Sequence, residues 1–172
     1  DRINRPALYR IAWGVGKARG EKWAQYQKDF DARFEDMRAI MLKKAWLNPQ
    51  AAYGYWPCFS DGNKINILPN ADSPEEKTIN LDLPRQNESP FLCLSDYFAP
   101  SGHIENDVAA FQLVSMGNKA TQTIHELQEQ DNLVEAYFAH GLAVQLTEAA
   151  AEFMHARIRA ELHLSKKQGK RY

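Results

Sequence analysis

Residues 132–164, NLVEAYFAHGLAVQLTEAAAEFMHARIRAELHL, contain no proline and a single glycine. Such a run of good helix formers predicts one helix of about thirty residues, roughly 45 Å long. On a wheel at ~100° per residue, Ala139, Leu142, Ala143, Leu146, Ala149, Ala150 and Phe153 fall in one apolar arc. Tyr137, Gly141, Val144, Glu148, Glu152 and His155 fall on the other side. Solvent accounts simply for that second face. Gly141 and Val144 fit the account poorly. A glycine costs about 1 kcal/mol inside a helix, which implies that something approaches the backbone there. With Glu148, the two would make a shallow apolar floor ending in a carboxylate, a shape suited to a ligand bearing a cationic amine.

Outward from this helix, the preceding residues predict a shorter one from Lys119 to about Gln130, capped by Asn118, with Ala120, Ile124 and Leu127 turned inward. Before it, Asp107–Met116 (DVAAFQLVSM) is an almost wholly apolar run, which predicts a strand in the middle of a sheet. Towards the start, Trp23, Tyr26, Phe30, Phe34, Met37 and Met41 recur at three and four. They predict an amphipathic helix over 21–46, ended by Asn48-Pro49, with the aromatic stripe as core. Between the helical ends the period changes. AAYGYWPCF and NKINIL flank SDGN, predicting two strands joined at Asp61-Gly62. Pro57 assigns the first strand to an edge or a bulge. A third strand is expected within Lys77–Leu83, and a brief helical turn at Leu94–Phe98 with Asp96 at its start. Strands and helices do not alternate, so the class is α+β with a modest antiparallel sheet and not a doubly wound nucleotide fold.

Composition narrows the functional classes. The 172 residues are 44% hydrophobic and 25% charged with a net charge of −1, ordinary for a soluble domain and without the basic excess that nucleic acid or an acidic membrane would call for. No apolar run approaches a membrane span of about 20 residues. Cys58 and Cys93 are too few for a disulfide framework and lack metal-type spacing, which fits a reducing cytoplasm. GVGKARG at 14–20 lacks the preceding strand and following GK[ST] of a phosphate loop. The five histidines, His103, His125, His140, His155 and His163, form no HExxH or other zinc frame. Glu148 and Glu152, one turn apart, could act as an acid/base pair or simply be solvated.

Five blocks, in order, carry more than composition can: INRPALYRIAW (3–13), AAYGYWPCFSDGNKINIL (51–68), FLCLSDYFAP (91–100), DVAAFQLVSMGNKA (107–120) and EAYFAHGLAVQLTEAAAEFMHARIRAEL (135–162). Together they resemble the C-terminal activation domain of cobalamin-dependent methionine synthases, over nearly the whole chain. The resemblance implies a C-shaped α+β domain with long helices and a twisted, mainly antiparallel sheet. It also implies part of a methyltransferase that is not itself catalytic. Such a module binds S-adenosylmethionine (AdoMet) and presents it to oxidised cobalamin while flavodoxin or an equivalent reductase supplies an electron. Cobalamin would sit in a neighbouring domain of the same chain, zinc only in a distant one, and the other domains would lie N-terminal to residues 1–172. Residue by residue, the acidic position that meets the AdoMet amino group falls on Glu148 in LTEAAAE. Arg171 would open the motif R-x-x-x-G-Y-P-A-C, whose remainder lies beyond this chain, and an N-terminal aspartate of the family falls at Asn4. On this reading residues 1–172 alone bind AdoMet weakly or not at all. The alternative implied function is a docking module for a corrinoid or flavodoxin-like partner that does not bind AdoMet.

Overall fold

The computed structural model describes residues 3–69, 77–102 and 107–164. The chain divides into two units: residues 1–52 with 112–172, and Tyr53–Phe111.

The first unit is helical. A three-residue helix, α1 (Arg5–Ala7), leads directly into a π-turn over Leu8–Ala12, in which the Trp13 N–H donates to the Leu8 carbonyl at 2.8 Å. The wider π-turn carries Trp13 inward, to 4% exposure. Helix α2 (Gly20–Lys44) follows and ends where Ala45 adopts a left-handed conformation, its N–H donating to Met41. The helix therefore stops short of Trp46, and Trp46 and Leu47 are buried outside any helix or strand, ahead of Asn48-Pro49. Helix α3 (Asn118–Glu129) turns at Asp131 (φ +56°) into α4 (Leu133–Glu161), which lies within the predicted 132–164. Asn118 does not cap α3. Gly117, at φ +81°, holds the cap position, and its N–H donates to the Ser115 hydroxyl at 3.0 Å. Leu8, Tyr9, Trp13, Phe34, Met37, Met116, Ala120, Ala139 and Leu142 build the core of this unit, with Phe30, Met41, Ile124 and Leu127 packed against it. Arg33 of α2 pairs with Glu135 of α4 at 2.6 Å while lying over the Phe138 ring. At the N-terminus, the buried Tyr9 hydroxyl donates to Asp31 at 2.6 Å, and Arg5 donates to Asp31 and Glu35. Burial, then the Asp31 carboxylate, hold Tyr9 protonated well above the ordinary phenol range.

Strands β1 (Gln50–Asp61), β2 (Lys64–Ile67), β3 (Ile79–Asp82) and β4 (Asp107–Ser115) form one sheet in the order β3-β2-β1-β4. The β1–β2 and β2–β3 pairs are antiparallel. Gly62 (φ +57°) turns the β1–β2 hairpin, which closes on the Asp61–Lys64 pair. Two expectations are corrected here. Pro57 stands in an inner strand, at the end of its ladder with β2. The register begins at Cys58, and opposite Leu68 the Pro57 carbonyl accepts from the Leu68 N–H while proline has no N–H to return the reciprocal bond. The apolar strand β4 lies at the sheet edge, with Leu113 73% exposed. An unbroken apolar run does not reveal which of its faces the rest of the chain will cover. Cys58, Ile65, Ile67 and Ala109 make a small buried cluster in the second unit, flanked by Trp56, Leu81, Leu83 and Phe98.

Candidate functional site on helix α4

Gly141 marks a close approach, and the approaching body is the protein's own. A Cβ built at Gly141 would stand 2.8 Å from Trp13 Cδ1, 3.0 Å from its Nε1 and 3.2 Å from Ala12 Cβ. Trp13 is held in that notch. Its Nε1–H donates to the Phe138 carbonyl at 3.1 Å, its ring stacks on Tyr9, and Phe30 and Phe138 meet it edge-on. Gly141 is thus the seat of an indole and not the floor of a ligand pocket. A glycine inside a helix signals a close approach, but a contact between residues 13 and 141 leaves no trace in periodicity.

Two turns along the same face, seven residues on, stands Glu148. Its carboxylate is exposed, and its Oε2 accepts from the Gln145 Nε2 at 2.7 Å. Among the described residues no other hydrogen bond to this carboxylate is made. Gln145 itself is buried, 5% exposed, and nothing in the sequence reading singled it out. Its signal was a polar amide set among Leu142, Ala143 and Leu146. Val144, 39% exposed, is the part of the proposed floor that remains open.

Asn4 is exposed and caps α1: its Oδ1 accepts from the Ala7 N–H at 3.0 Å. Its neighbour Ile3 lines a pocket of ≈330 Å³ with Phe34, Arg38, Met41, Leu142 and Leu146, apolar but for the Arg38 guanidinium. Asn4 and Glu148 both belong to the helical unit; Arg171 lies outside the described residues. The two buried thiols are perturbed in opposite directions. Burial, then Asp107, push the Cys58 thiol up to about 11, whereas the Cys93 thiol is lowered, chiefly by its hydrogen bond with Ser95. Among the described residues no cluster of histidine, cysteine and carboxylate side chains could hold a metal. No described helix is long and apolar enough to cross a membrane.

Residues 18–170 match the sequence profile of the family described as vitamin B12-dependent methionine synthase, activation domain. The chain belongs to this family. Against methionine synthases it is 32% identical over 176 residues to that of Mycobacterium tuberculosis (strain ATCC 25618 / H37Rv) and 38% identical over 172 residues to that of Mycobacterium leprae (strain TN). Each comparison covers 95% of this chain and 14% of the relative, so the chain spans about a seventh of the length of these methionine synthases. A crystal structure of the MetH reactivation domain bound to AdoHcy superimposes with a TM-score of 0.77 at 21% identity, over 92% of this chain and 51% of that one. At that identity it establishes the fold, and the α+β class read from the sequence is the fold of this methionine synthase activation domain.

Proposed function

We propose that this methionine synthase activation domain binds AdoMet and holds its methyl group for reductive methylation of a cobalamin carried by another domain of the same polypeptide, with flavodoxin or an equivalent reductase as electron donor. The observation that carries this reading is the Glu148 carboxylate. It is exposed and is held at one oxygen by a buried amide, with no second hydrogen bond to it among the described residues. AdoMet is cationic at both its amine and its sulfonium, and an ionised carboxylate is the side chain that accepts from an ammonium without leaving its charge unmatched. The related reactivation domain bound to AdoHcy, the demethylated form of AdoMet, supports the same ligand class.

Cobalamin, when bound in its own domain, would supply the methyl acceptor. The part played by this chain is to bind and orient the donor, so that transfer is paid for by placement before the reaction begins. Glu148 cannot do this alone. A hydrogen bond to a charged group is worth ~1.5–3 kcal/mol, whereas even millimolar binding needs about 4 kcal/mol. Asn4 is assigned an auxiliary polar contact through the part of its amide not engaged in capping α1. Arg171 is assigned to the ligand together with residues that follow it, and full binding requires them. Zinc and the remaining catalytic machinery would belong to other domains.

Calorimetric titration of AdoMet tests the reading, using the 172-residue chain beside one lengthened by about 100 residues past Tyr172, an ordinary complement for one domain. Binding by the longer chain only is expected. Micromolar binding by the shorter chain would overturn the assignment of essential contacts beyond Arg171. Absence of binding by both would replace the AdoMet reading with that of a docking module.

A further inference from the structure

We infer that Gln145 is the positioning residue of the Glu148 carboxylate: its amide N–H fixes the orientation in which Glu148 meets a cationic amine. The inference rests on the AdoMet-binding reading of Glu148 and adds to it a residue that does not itself touch the ligand.

Three observations converge. Gln145 and Ser95 are the polar side chains buried among the described residues, and Gln145 is the one on α4. A buried amide must find partners, whereas a methionine of similar size would fill the same space without that requirement. The partner chosen is the exposed Glu148, at 2.7 Å, in the short range of hydrogen bonds to a charged group. Spacing and surroundings supply the rest. Residues three apart on a helix are neighbours, so the amide reaches the carboxylate without leaving the helix surface. One turn before Gln145, Trp13 covers Gly141, which closes the N-terminal side of this face. A lone glutamate on a helix surface samples several rotamers and gives them up when a ligand binds. One tethered by a buried donor has already given them up, so more of the contact appears as affinity.

The test is a double-substitution cycle in the full-length methionine synthase, reading AdoMet affinity by equilibrium binding and folding by thermal denaturation. Glu148→Ala is expected to weaken AdoMet about 10- to 100-fold, the loss of one charge-assisted contact. Gln145→Met is expected to weaken it about 3- to 10-fold through lost preorganisation. Together they should be no weaker than Glu148→Ala alone, because Gln145 acts only through the carboxylate. Gln145→Leu serves the same cycle if methionine disturbs the packing. If both Gln145 substitutions leave affinity unchanged while Glu148→Ala lowers it, the inference fails and the AdoMet reading stands. A full Gln145 effect in the Glu148→Ala background would make Gln145 structural. Unchanged affinity in Glu148→Ala would remove Glu148 from the site, and the inference with it.

Discussion

A single methyl group at position 141 separates two contributions that are usually confounded. Replacing Gly141 by alanine gains about 1 kcal/mol of helix propensity. It also drives a Cβ to 2.8 Å from Trp13 Cδ1. The indole cannot retreat cheaply, because its N–H is bound to the Phe138 carbonyl and Tyr9, Phe30 and Phe138 surround its ring. Overpacking of this kind costs ~1–3 kcal/mol, so Gly141→Ala should destabilise the chain by about 1 kcal/mol net, seen as a lower urea midpoint at unchanged slope. A higher midpoint would mean that Trp13 yields and that propensity alone sets the outcome. The same position shows what was legible at this scale. The helical wheel identified Gly141 and Val144 as anomalous on a face otherwise suited to water. It could not say that one seats a tryptophan from the far end of the chain while the other stays open. Nor could it find Gln145, because a glutamine in a helix reads as surface until its burial is known.

Among the elements, period decided legibility. The stripe of α2 recurs at helical spacing, and Phe34 and Met37 are buried as that spacing requires, although Tyr26, expected in the core with them, is exposed. The apolar run of β4 has no period to interpret, and it is an edge strand. The short turn at Leu94–Tyr97 was legible through Asp96, whose carboxylate accepts from the Cys93 N–H at 2.8 Å and so caps it. What fixes the surrounding loop was not legible, since it depends on Arg85 reaching several separate segments. The guanidinium donates to both Asp96 oxygens at 2.7 Å, to the Phe91 carbonyl and to Asn63. The Arg85 hydrogen bonds, then the Cys93 N–H, hold the Asp96 carboxyl down to about 2. An unfolded aspartate titrates near ~3.9. A depressed folded value stabilises the native state above the unfolded one, and that contribution disappears as pH falls from about 4 to about 2. The Asp96 side chain is 38% exposed, so solvent screening keeps the effect small. Unfolding measured against pH should therefore show, in that window, a loss of stability that Asp96→Asn lacks. Parallel curves for the two proteins would sever Asp96 from the acid response.

At the scale of the whole molecule, the α+β class was legible because helical and extended stretches are segregated along the chain. The division into two units was not. Its boundaries, Ala52/Tyr53 and Phe111/Gln112, fall within β1 and β4, where no change of composition marks a break and no polar linker intervenes. Each unit nevertheless has a hydrophobic cluster of its own, and the two clusters share no residue. The second unit is the smaller, with four buried hydrophobic residues at its centre. A unit of roughly 60 residues buries a lower fraction of its surface than a larger one and holds little stability in reserve. Ile65 is 5% exposed within that cluster, and Ile65→Ala should cost about 2–5 kcal/mol through lost transfer energy and the cavity left behind. That is enough to raise the open population of one unit without unfolding the other. Hydrogen exchange on Ile65→Ala should then show amides of Tyr53–Phe111 losing protection while those in the middle of α2 and α4 keep theirs. Equal loss across α2, α4 and the sheet would mean that the two clusters unfold as one cooperative structure, and that a substitution in the second unit changes the stability of the helix bearing Glu148 directly.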